Sequence, residues 1–177
     1  MIADTLRLLS RDFPAVMLIL ALLIAAINPT RGPAPERFLS WVLLLPIGLT
    51  GLWAGAFHIF LPGAASADIG WHASPFEFEV GMADLAIGIT ACVAFWQDLS
   101  FKAAAVLVAS VFLLGDAIGH IHQMLNAGNF SPGNAGVPFY TGIIGPLLAI
   151  VLLLLEKRRR HRHGSFTADL HGGACSS

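Results

Sequence analysis

Asp116 and His120 stand four residues apart in an otherwise apolar stretch, a spacing that sets both side chains on one helix face. A carboxylate and an imidazole so placed offer two ligands to one metal ion, or a pair that shares a proton. His58, Glu79 and Asp84 bring the same two chemistries from two other apolar blocks. Imidazole with carboxylate suits zinc, iron or manganese, and no thiolate is at hand to favour copper(I). His58, Glu79, Asp84, Asp116 and His120 are therefore the candidate ligands of a divalent metal site. The same residues fit a proton-coupled or polar-ligand site, since buried carboxylates and histidines mark proton relays and substrate paths. His58 and His120 on facing helices could serve as axial ligands of a haem, or flank a quinone. The plainest reading is a hydrogen-bonded network that only joins helices, as in a structural or accessory subunit. Interhelical polar contacts average about 0.6 kcal/mol, against about 2.5–3.5 kcal/mol for inserting a charged residue at a helix centre.

Glu77 and Asp84 lie seven residues apart and also share a face, with Gly81 and Gly88 along it. Ser74 can cap this helix, Pro75 suits its first turn, and Glu77 and Glu79 complement its positive end. Glu79, about 5 Å deep, or Glu77 would stand at the mouth of the site; Glu79 projects differently from the face of Asp84, and Glu77 could instead lie at the headgroup level. His122 points away from His120 and reads as interfacial. The inner halves of the same helices are almost purely apolar. Asp84 and Asp116 lie about 12 and 14 Å from the outer ends of their helices at 1.5 Å per residue, near the middle of a hydrocarbon core about 30 Å thick.

The elements that must hold these residues are apolar blocks. Of 177 residues, 56% are hydrophobic and 12% charged, about half the charged fraction of a soluble domain. Five blocks, at about 13–28, 38–61, 76–96, 103–125 and 139–155, predict an all-α transmembrane bundle of five spanning helices. Residues 1–156 form this bundle, and 157–177 a basic tail expected to be disordered and cytoplasmic. Segments 62–75 and 126–138 read as loops. Gly51/Gly55 and Gly115/Gly119 are small-residue steps suited to close helix contact, within one chain or between copies. Trp71 and Tyr140 suit one membrane interface and Trp96 the other.

Charge sets the orientation. With the N-terminus outside, eight basic residues fall inside (Arg31, Arg37, Lys102, Lys157, Arg158, Arg159, Arg160, Arg162) and two outside (Arg7, Arg11). A cleaved signal peptide would reverse this asymmetry, so none is expected. The basic run after the last block suits anionic lipid better than nucleic acid. The lipid bilayer is thus the expected partner, with a homo-oligomer or a larger membrane complex compatible and no nucleic acid. Cys92 sits in an apolar block and Cys175 in the tail, too far apart in level for a disulfide. No phosphate loop, dinucleotide fingerprint, serine-hydrolase elbow or zinc-protease motif occurs.

Three stretches carry a resemblance. They are Trp71-His72-Ala73-Ser74-Pro75-Phe76-Glu77-Phe78-Glu79-Val80-Gly81, Phe112-Leu113-Leu114-Gly115-Asp116-Ala117-Ile118-Gly119-His120, and Gly133-Asn134-Ala135-Gly136. The region from about 70 to 145 resembles a family of small bacterial multi-pass membrane proteins of unassigned function. The resemblance implies a bacterial inner-membrane location and no particular reaction. The sequence thus predicts a multi-pass membrane protein with an outward-facing His/Asp/Glu pocket, holding a divalent metal or else a proton or polar ligand.

Overall fold

The computed structural model describes residues 2–29 and 32–172, with side chains described over 11–29 and 32–163. The side chains of Arg7, Arg31 and Cys175 lie outside the described residues. Every regular element among the described residues is helical: α1 (Ile2–Ile27), α2 (Ala34–Phe60), α3 (Pro62–Ile69), α4 (Phe76–Ala94), α5 (Leu99–Ala127), α6 (Pro132–Ala135) and α7 (Val137–Gly172). Each of the five apolar blocks therefore forms a helix. Among the described residues three stretches are long and apolar enough to cross a membrane: α2, α5 and Pro132–His163, which contains most of α7. α4 differs from these by carrying Glu77, Glu79 and Asp84 within its 19 residues. Leu107, Val108, Val111 and Ile118 of α5 face outward and are exposed, an apolar surface that suits lipid.

Sequence punctuation explains the element ends. Pro33 and Pro35 open α2, and the Asp98 side chain caps α5 by accepting from the Phe101 N–H at 2.9 Å. α3 and α5 stop at Gly70 and Gly128, whose φ values of 71° and 61° are left-handed. Inside α2, Leu43–Leu49 widens to a π-helix around Pro46. Proline has no N–H to give the ladder and its ring crowds the preceding turn, and the wider turn relieves both.

α2 and α4 meet backbone to backbone. A methyl group added to Gly55 would come within 2.7 Å of the Gly81 carbonyl oxygen, and one on Gly88 within 2.7 Å of the Leu52 nitrogen. The Gly51/Gly55 step therefore does what small residues do between membrane helices. Within the chain the Gly115/Gly119 step does not: among the described residues nothing lies within 4 Å of a methyl on Gly115, and only the Trp71 ring, at 3.8 Å, approaches one on Gly119.

The hydrophobic core occupies one half of the bundle, around Leu39, Leu43, Ile87, Val106, Ala149 and Leu152. An ionic cluster closes that end. Glu156 is fully buried and accepts from Arg159 and Arg160 at 2.7–2.8 Å; Arg160 also reaches Glu36 at 3.0 Å, and Lys102 lies 3.4 Å from Glu36. The cluster ties α2, α5 and α7 together. It also bears on the tail. Past Glu156, α7 continues through the basic run to Gly172. Arg159 and Arg160 stand three and four residues after Glu156, and such pairs support helix continuation.

Candidate functional site

The polar residues gather at the other end of the bundle, where α2 ends, α4 begins, α5 ends and α7 begins. On α4 the buried residues Glu77, Gly81, Asp84 and Gly88 form one stripe, pressed against α2 by the glycine contact. That contact sets His58, in the last turn of α2, beside Glu77: His58 Nδ1 and Glu77 Oε2 are 2.6 Å apart. On α5, His120 Nε2 lies 3.3 Å from Asp116 Oδ2. Both pairs line one cavity of about 450 Å³, and Asp84 lines it with them. The rest of the wall is mainly apolar and aromatic, including Trp71, Phe112, Phe139 and the helix prolines Pro46 and Pro146. Among the described residues no lysine or arginine lines it.

Four of the five residues singled out by sequence thus share the cavity: His58, Asp84, Asp116 and His120. Glu79 does not. It is exposed and absent from the wall, and Glu77, 9% exposed, takes the place expected of it. The helix face decides this. Glu77 lies on the stripe that carries Asp84, and Glu79 is two residues, about 200°, around the helix. Trp71, read from sequence as an interfacial aromatic, also lines the cavity.

Sequence reasoning did not single out Asn134 as a site residue, although it lies in the third stretch of the resemblance. It is fully buried. Its Oδ1 accepts from the Trp71 indole N–H at 2.9 Å and lies 2.9 Å from His120 Nδ1. Its Nδ2 donates to the carbonyls of Asn129 (2.9 Å) and His120 (3.3 Å). The indole N–H can only donate, so the atom facing both Trp71 and His120 is the oxygen, and His120 Nδ1 must carry a hydrogen. His120 Nε2 then faces the Asp116 carboxylate at 3.3 Å.

The segment carrying Asn134 is clamped from outside. Asn129 donates to the Ile69 carbonyl at 2.8 Å, and a methyl on Gly133 would meet Asp68 Oδ2 at 2.7 Å. Asp68 in turn accepts from Arg11 Nε and Nη2 at 2.9 and 2.7 Å, which ties α1 to α3. A second cavity of about 550 Å³ lies beside this ion pair and shares His58, Thr50 and Ala54 with the first.

For a metal ion the arrangement is poor. Among the described residues no three His, Cys, Asp or Glu side chains come together to hold one. Glu77 is instead paired with His58 and Asp116 with His120, and both ring nitrogens of His120 are engaged, one by Asn134 and one by Asp116.

A family model matches residues 11–162, from the arginine that anchors α1 to the basic run of α7. The chain belongs to DUF6790, a family of unknown function. No curated protein and no solved structure matches it. The DUF6790 match takes in every residue of the cavity wall, from Pro14 to Pro146.

Proposed function

We propose that this DUF6790 chain crosses a membrane five times, with its N-terminus outside, and holds in its outer half a pocket for a small polar ligand. On this reading α1 and α4 span together with α2, α5 and α7. The charge distribution supports the orientation: Arg37, Lys102 and the run from Lys157 to Arg162 lie at the end of the bundle away from the cavity. Together with the motif resemblance over about 70–145, this favours a bacterial inner membrane. A reporter active only in the cytoplasm, fused after Ser177, is expected to be active. A silent fusion of an expressed protein would reverse the orientation and put the pocket on the cytoplasmic side.

Asp84 carries the pocket assignment. It is 8% exposed, has no hydrogen-bond or ion-pair partner among the described residues, and borders the cavity between the two acid–imidazole pairs. Its interactions with His58 and Asp116 act only through space. Buried polar groups are almost always satisfied, and an intramembrane carboxylate left open to a cavity marks a place where something else binds. The cavity's volume lies in the range of small-molecule sites. A network built only to join helices would have paired this carboxylate.

The two roles predict opposite signs for Asp84→Asn. In a binding pocket, removing an unpartnered buried charge should stabilise the unliganded chain by about 1 kcal/mol, stability having been given up for function. In a structural network the same change should destabilise it by a similar amount. Denaturation of the purified protein in mild detergent reads the sign, and a loss of stability in Asp84→Asn would sink the pocket assignment.

A further inference from the structure

We propose that the pocket selects an organic cation, a protonated amine on an apolar or aromatic body, with Asp84 as its counter-ion. The inference rests on the pocket reading and names the ligand class for that site. Charge on the wall is the first argument. Glu77, Asp84 and Asp116 line the cavity without a lysine or arginine among its lining residues. Asp116 stands 3.3 Å from His120 Nε2, so a protonated His120 would at most cancel its charge, and this pair is neutral or singly negative. The His58–Glu77 pair is held at 2.6 Å, and with at least one proton between its members it is neutral or singly negative. Asp84 has no such partner, so with Asp84 ionised and His72, the third histidine of the wall, uncharged, the wall keeps a net negative charge. An anionic ligand would meet repulsion there, and a neutral ligand would leave that carboxylate without a counter-charge.

Wall chemistry supplies the second argument. Trp71, Phe112 and Phe139 line the cavity, and aromatic faces attract a cation as well as bury an apolar body. A bare divalent ion needs several oxygen or nitrogen donors at close range and gains nothing from these rings. Glu77 and Asp116 face separate histidines, which among the described residues of the wall leaves Asp84 alone as an unpaired acid. A monovalent ammonium needs only one carboxylate, and Asp84 provides it.

The test uses the full chain in nanodiscs of zwitterionic lipid at neutral pH, with empty discs as the blank. Radiolabelled phenethylamine is the probe, and phenethylamine, phenethyl alcohol and phenylpropionate are the competitors, matched in size and differing in charge. The amine is expected to compete about tenfold or more better than the alcohol, the scale of one hydrogen bond to a charged group. It should also outcompete the carboxylate by a larger margin. Asp84→Asn is expected to reduce amine binding to the level of the alcohol while the alcohol's own binding holds. Equal competition by the alcohol or the carboxylate would overturn the amine assignment and leave the pocket standing. Failure of the amine to bind above the blank would also overturn it. If Asp84→Asn in addition lowers stability, the pocket reading falls too.

Discussion

Replacing Asn134 with alanine is expected to lower the stability of the chain by about 4 kcal/mol, more than any other single substitution around the cavity. The residue is fully buried and makes four contacts at once, with Trp71, His120 Nδ1, the His120 carbonyl and the Asn129 carbonyl. Each buried group stripped of its partner costs about 1–3 kcal/mol. Water from the adjoining cavity can replace some of those contacts, which keeps the total below the simple sum. Asn134→Asp separates the contacts. It keeps an oxygen for Trp71 and His120 but has no N–H to give either carbonyl, and it sets a second carboxylate beside His120. Denaturant titration in detergent should rank wild type above Asn134→Asp and Asn134→Ala, with tryptophan emission shifted to the red in the alanine variant as Trp71 loosens. A change within about 0.5 kcal/mol for Asn134→Ala, the range of an ordinary surface substitution, would show that Asn134 does not hold Trp71 and His120 in place.

Asn134 also marks where sequence stops being legible. The helices could be read because a long apolar block imposes helical structure wherever backbone groups must be satisfied without water. The sides of those helices could be read too. Asp116 with His120, and Glu77 with Asp84, Gly81 and Gly88, follow the helical period, and all four ionisable side chains face the cavity. Asn134 follows no period. It sits on a four-residue helix between α5 and α7, and its value depends on a segment folding back over His120. Arg11 and Asp68 are 57 residues apart, and their pairing is equally a product of the assembled bundle. Glu79 shows a different limit. Depth along a helix and the face of a helix are both readable, and for Glu77 and Glu79 they pointed to different residues. Face prevailed, because a residue on the wrong side cannot reach the cavity at any depth. The metal reading rested on donor types sharing a region. Pairing within that region, above all the capture of both His120 nitrogens, became visible only with the side chains in place.

The contrast between the two glutamates gives the second large effect. Glu77→Ala is expected to cost about 3 kcal/mol, because it strands His58 in a site where Glu77 Oε2 stands 2.6 Å from its Nδ1 and where few other groups can replace it. Glu79→Ala, on the exposed side of the same helix, is expected to be indistinguishable from wild type in the same melt. Glu77→Gln sharpens the comparison. A glutamine oxygen can still accept from the His58 N–H, so shape and one hydrogen bond survive while the charge is lost, and the cost should fall to roughly half that of alanine. Equal losses for the two alanine variants would mean that the glutamates act together on the helix dipole, not through His58. In that case the orientation of His58, and with it the wall shared by the two cavities, would have to be set by something other than Glu77.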